Sequence, residues 1–270
     1  MSVTELCRLL AIAITVCATL LANQACAQGF AAVVSPPRFE LSVKPGERVR
    51  DVVEISNASA QPATYHVRTG DWTLAPDAGV TFSETLGAGS CRPWVAIERR
   101  EILVPAGGRY RYRFEVQPPA NAAPGECRFA LLIEGDEQPV RTASGLNVPV
   151  SGRIGVIVYI AVGQAAPDLQ IVSTTTGEVD GHLVPILNVR NTGNAHGRLA
   201  GFLSGVDAKG RSLDFAPSTL PILPGETRAI ALVAGTAPDT ITDVAYPVRV
   251  RGILEWGAGK RMEFDQQFAR

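Results

Sequence analysis

Few residues in the chain stand where chemistry would need them. The three histidines are His66, His182 and His196, and none has a second histidine at a short ligand spacing, as a metal site would require. His66 alternates within the strand-like phrase TYHVR, and His182 and His196 follow Gly or Ala in turn-like stretches. No GxSxG elbow, Walker loop, HExxH or GxGxxG pattern occurs. Asp207-Ala208-Lys209-Gly210 resembles the start of a calcium loop, but without further oxygen ligands it reads as a hairpin turn. Cys91 is a conceivable nucleophile. Taken together, these residues argue against an enzyme, a metal centre and a cofactor.

The first residues indicate where the chain works. Leu9 to Leu21 is apolar, preceded by Arg8 and followed by Ala25-Cys26-Ala27. A basic start, a short apolar run and a small-residue site make a secretory signal, here residues 1–27, cleaved after Ala27. Asn23 and Gln24 disfavour a lipid-modified Cys26, and the run is shorter than the roughly 20 residues a membrane span needs. A periplasmic protein, not inserted in a membrane after cleavage, is expected. Glu5 and Arg8 leave together, so the formal charge stays at −1. That balance gives no electrostatic reason to expect a nucleic-acid partner. Of five cysteines, only Cys91 and Cys127 lie beyond the signal, and in an oxidising compartment such a pair favours a disulfide.

These candidates must be positioned by β structure, because frequent Gly (26) and Pro (19) leave no room for long helices. Strands are expected at 33–43, 49–57, 63–73, 94–102, 109–117, 127–134 and 145–162, separated by turns such as KPGE, NASAQP, PAGG and PPANAAPGE. Seven short strands at this spacing suggest an immunoglobulin-like sandwich. Residues 163–168 read as a linker, and strands resume at 169–173, 185–191, 198–206, 227–233, 244–256 and 261–268. The expected fold class is therefore all-β, with two sandwich domains at 28–162 and 169–270.

Residues 146–159, LNVPVSGRIGVIVY, raise a specific question. Leu146, Val148 and Val150 alternate with Asn147, Pro149 and Ser151, and Arg153 then precedes a second apolar run. Alternation describes a half-buried strand, and a proline within it describes an edge strand. A long apolar edge invites pairing with other chains and is normally blunted.

Two stretches together bear a family resemblance. The first is VVSPPRFELSVKPGERVRDVVEISN, with Arg38-Phe39-Glu40-Leu41 and Ile55-Ser56-Asn57; the second is CRFALLIEG followed, after a gap, by LNVPVSGRIGVIVYIAV. Over roughly residues 30–162 the chain resembles the periplasmic PapD-like chaperones of the chaperone–usher pilus pathway. The resemblance implies two immunoglobulin-like domains in an L-shaped arrangement with a cleft between them. It also implies that Arg38 and Arg153 are cleft cations holding the C-terminal carboxylate of a pilus subunit. Leu146, Val148 and Val150 would complete the subunit's sandwich as a donated strand, and an outer-membrane usher would receive the complex. Arg153 stands where the family usually has Lys, which keeps the charge and adds a bidentate fork. Cys91 and Cys127 are not part of the family pattern.

A donated strand would explain why an apolar edge is kept: main-chain bonds give affinity, and alternate side chains fill pockets. The competing reading is a secreted two-domain adhesive or scaffold protein with no strand donation. Self-capping by dimerisation is a further way to cover such an edge.

Overall fold

In a computed structural model the protein is described over residues 30–141, 146–235, 241–257 and 259–270. The expected signal segment, 1–27, lies outside these residues. Their strands are β1 (Ala32–Ser35), β2 (Arg38–Val43), β3 (Val49–Asn57), β4 (Ala63–Leu74), β5 (Val80–Ser83), β6 (Val95–Ile97), β7 (Glu101–Val104), β8 (Arg109–Val116), β9 (Gly125–Gly135), β10 (Gln138–Arg141), β11 (Asn147–Val150), β12 (Arg153–Val162), β13 (Leu169–Val179), β14 (His182–Asn191), β15 (Ala200–Val206), β16 (Ser212–Pro217), β17 (Thr227–Ala234), β18 (Val248–Trp256) and β19 (Lys260–Phe268). One 3-10 turn, Arg92–Trp94, interrupts them. Among the described residues no helix is long and apolar enough to cross a membrane.

Through residue 162 the strands form a two-layer sandwich. One layer runs β1-β3-β8-β6; the other runs β2-β12-β9-β4-β5, with β7 also on β4. Phe39, Val53, Ile55, Tyr65, Phe114, Phe129 and Val158 are buried between the layers, where alternation on each strand sends every second side chain inward. The segment expected as one strand at 33–43 is two, in different layers. Pro36 and Pro37 between them lack the N–H groups a ladder needs, and the chain changes sheet there. The stretch expected as one strand at 94–102 likewise divides into β6 and β7, which pair in different layers.

Cys91, just before the 3-10 turn, is bonded to Cys127 on β9, with a Cα separation of 5.3 Å. The bond ties the connection between layers to a central strand and closes a loop of 36 residues, worth about 3–4 kcal/mol by loop-closure entropy. Reduction is therefore expected to lower the melting temperature of the first domain. A second domain that melts unchanged in the same calorimetric trace would show that the effect is local.

Among the described residues no strand pairing crosses positions 163–168. Beyond them seven strands pair in the order β13-β14-β17-β16-β15-β18-β19 around a second core that includes Leu187, Leu203, Phe215, Ile230, Leu232, Val250 and Phe264. β17 pairs with β14 on one side and with β16 on the other, which joins the two layers of this sandwich. Strand β16 escaped the sequence reading, and β13 extends beyond its expected end at 173. The protein is thus an all-β chain of two immunoglobulin-like sandwiches.

Candidate functional site: an open strand edge

The expected strand 145–162 is two strands with different surroundings. β12 pairs antiparallel with β9 along its whole length, and from Ile157 to Val162 it also pairs in parallel with β2. Its second half is therefore an interior strand, not the edge the proline suggested. Among the described residues β11 pairs only with β10, as a two-stranded ribbon continuing the β9–β12 hairpin. Leu146, Val148 and Val150 keep the parity of the core residues Val156, Val158 and Ile160, yet they are 67%, 42% and 47% exposed. No second layer covers that face of the ribbon among the described residues, so the apolar stripe leaves the core and meets solvent.

The direction of each main-chain amide along this edge follows from two observations. On the ribbon Pro139 faces Pro149. Two prolines cannot exchange N–H bonds, so theirs is a non-hydrogen-bonded pair, and Val148 and Val150 turn their polar groups toward β10. On β12 the Ile157 N–H donates to the Pro37 carbonyl, 3.2 Å away, and the Gly152 carbonyl accepts from the Gly135 N–H at 3.2 Å. Even-numbered residues thus bond inward to β9 and β10, and odd-numbered ones point outward. The outward groups of Asn147, Pro149, Arg153 and Gly155 face no described strand. The open edge ends at Ile157, where β2 begins with Arg38.

Glycine permits two close approaches here. A side chain at Gly152 would collide with the Phe30 ring, 2.1 Å from the Cβ position, and one at Gly155 would collide with the Phe82 ring at the same distance. Phe30, edge-on to Tyr65 with centroids 6.0 Å apart, closes the core where the ribbon departs.

Arg38 and Arg153 lie on the outer face of the same sheet, but the structure does not bring them together. Arg38 is in register with Ile157, so Arg153 is four positions back, about 13 Å along the strand. Arg38 Nε is 2.9 Å from Glu40 Oε1. Arg153 pairs with Glu134, directly across on β9. That carboxylate also accepts from Arg68 Nη2 at 2.8 Å, and Arg68 reaches Glu84 as well. Arg38 thus engages a carboxylate on its own strand, whereas Arg153 engages one across on β9. Arg68, Glu134 and Phe82 were not singled out in the sequence, because only cross-strand register brings them beside Arg153 and Gly155.

The histidines each have acidic neighbours. His66 Nε2 lies 2.8 Å from Asp136, and His182 Nδ1 lies 2.7 Å from Asp243. His196 belongs to the second domain, but its side chain, 9% exposed, packs against the first. Its ring stacks on Tyr159 at 3.9 Å, and Nδ1 lies 2.5 Å from Glu126. Nε2 faces Glu40 at 3.5 Å and Arg198 Nη1 at 2.7 Å. Arg198 in turn donates to Glu40 at 2.6 Å. Elsewhere Arg228, also buried, donates from Nη1 to the Ala75 carbonyl at 2.9 Å. Among the described residues no group of His, Cys, Asp or Glu has the arrangement of a metal site. Asp207 accepts from the Lys209 and Arg211 amides, each at 2.9 Å, so its oxygens organise the β15–β16 turn.

The contacts of His196 are expected to make domain packing dependent on pH. The hydrogen bond from His196, opposed by burial and helped by the charge of Arg198, lowers Glu40 from 4.5 to about 2. Its contribution is present above its unfolded value and is lost as pH falls from about 4.5 to about 2. Burial opposes charge on His196, but its bonds to Glu126 and Glu40 outweigh that and raise its pKa. The contribution of the charged ring is full below the ordinary value of 6.5 and is lost as pH rises through the raised one. The separation between the melting transitions of the two domains is thus expected to change in both windows. His196→Gln should flatten the upper one, and an unchanged alkaline profile in that variant would refute the assignment.

Fold and site together define a class: a two-sandwich protein whose first domain carries an apolar ribbon with an open edge. No family model matches the chain, and no curated protein sequence matches it. Solved structures do. The Pseudomonas aeruginosa CupB2 chaperone is 14% identical over 88% of this chain and 100% of that one, with a TM-score of 0.46. The complex of the Salmonella enterica SafA pilin with the SafB chaperone matches at 12% identity, over 89% of this chain and 98% of that one, with a TM-score of 0.47. The E. coli chaperone DraB is 14% identical over 88% and 97% of the two chains, with a TM-score of 0.45. The class 5 fimbriae chaperone CfaA is another such neighbour.

Proposed function

We propose that this protein is a periplasmic chaperone for pilus subunits, a binding protein and not an enzyme, which captures its client by donating β11. The observation that carries this reading is the exposed stripe Leu146, Val148 and Val150 beside an open row of main-chain groups. A subunit lacking one strand of its own sandwich would cover both at once, gaining a ladder and filling its groove with the three side chains.

The edge also gives the added strand a place to stop. A client strand running parallel to β11 and β12 passes Arg153 and Gly155 and then abuts Arg38, where β2 occupies the edge. A C-terminal carboxylate ending there meets the Arg38 guanidinium, a charge-assisted bond that fixes register. Arg153, four positions earlier and engaged by Glu134, acts as a second, separate cation on the same path. Delivery to an outer-membrane usher completes the role.

The test is co-expression of the chain with a fimbrial subunit that is unstable alone. A soluble one-to-one complex is the expected result. A folded chain that leaves the subunit to aggregate would instead indicate the adhesive or scaffold role. A smaller effect is expected for Arg153→Ala: weaker capture, still measurable by titration, because Glu134 already holds this cation. Complete loss of binding in that variant would make Arg153 the principal anchor in place of Arg38.

A further inference from the structure

An open apolar edge can pair with its own copies as readily as with a client. β11 carries a chemical asymmetry that separates the two. Of its four residues, Val148 and Val150 bond inward to β10, so only Asn147 and Pro149 present main-chain groups outward. Asn147 offers an N–H and a carbonyl, while Pro149 offers a carbonyl alone. Pro149 is exposed and lies outside the buried core.

Taking the proposed strand donation as given, we propose that Pro149 sets the specificity of this edge. It bars a second copy of the chain from pairing along β11 while leaving that strand open to a fimbrial subunit strand that has no proline at the facing position. When two β11 edges meet antiparallel, outward residues must face outward residues. If Pro149 faces Pro149, the central pair has no donor. If Asn147 faces Pro149, one bond is missing at each of two pairs. If Asn147 faces Asn147, one bonded pair remains within β11, and neither proline faces a residue of that strand. A foreign strand, by contrast, encounters one proline and loses one bond. Each missing bond leaves a carbonyl without its donor, a penalty of about tenfold in affinity. Homotypic pairing that engages Pro149 is therefore penalised about twice over and client pairing once, while the register that spares the prolines keeps a single bonded pair. Proline on a strand edge is a known way to prevent self-pairing; here it occupies one of the two outward positions of β11.

Sedimentation velocity over a concentration series tests this with the mature chain alone. Pro149→Ala restores the outward amide without removing a ribbon bond. It should strengthen self-association at least about tenfold over wild type. Adding Asn147→Pro blocks the other outward amide, and the double variant should return to wild-type behaviour. Identical sedimentation of Pro149→Ala and wild type would overturn the proposal. So would a double variant that associates as tightly as Pro149→Ala, since association would then use another surface. With a co-expressed fimbrial subunit, the Pro149→Ala complex should dissociate about tenfold more slowly; an unchanged rate would also overturn it. Failure of the wild-type chain to capture any subunit would count against the chaperone reading, whereas the self-association comparison still decides the role of Pro149.

Discussion

Val148→Asp is expected to leave the free protein folded and to abolish subunit capture. Val148 is 42% exposed on the ribbon and lies outside both large cores. Its replacement breaks no buried contact, and surface changes of this kind stay within about 0.5 kcal/mol. The melting temperature should then remain within about 2 °C of wild type. In the complex the same position would point into the apolar groove of the subunit, where an unpaired carboxylate costs several kcal/mol. Binding and stability thus respond in opposite ways to one substitution. A large drop in the melting temperature of the lone variant would show instead that Val148 supports this protein's own fold.

Arg38→Ala is expected to have the next largest effect, again on binding alone. The Arg38 side chain is half exposed and, among the described residues, paired with Glu40, itself 44% exposed, so the pair adds little to stability in water. As the anchor for a terminal carboxylate, however, it would contribute about 2–5 kcal/mol, a loss of at least about thirtyfold in affinity on removal. A subunit whose C-terminal carboxylate is amidated should lose affinity to wild type by a similar factor and lose nothing further to Arg38→Ala. Independent, additive losses would contradict the contact.

The period-two pattern at Leu146, Val148 and Val150 was legible in the sequence because alternation is local and needs no knowledge of the partner strand. The Cys91–Cys127 bond was legible because only two cysteines follow the signal segment. What could not be read was register between distant strands. β12 becomes an interior strand at Ile157 only because β2, far earlier in the chain, lies alongside it. The same pairing places Arg38 and Arg153 apart, and the β9 pairing supplies Arg153 with Glu134. Pro149 shows the boundary between the two kinds of information. That it marks an edge is written in its chemistry, but that it faces Pro139, and therefore turns its missing amide outward, requires the pairing.

Strand donation itself is tested most directly by amide hydrogen exchange, residue by residue, in the free chain and in its complex with a subunit. In the free chain the inward amides of Val148 and Val150 should be slowed by β10, while those of Asn147, Arg153 and Gly155 should exchange freely, since they point away from β9 and β10 and face no other described strand. In the complex Asn147, Arg153 and Gly155 should become protected together, with Val148 and Val150 little changed. A captured subunit that leaves those three outward amides exchanging at their free rates would contradict strand donation along β11 and β12.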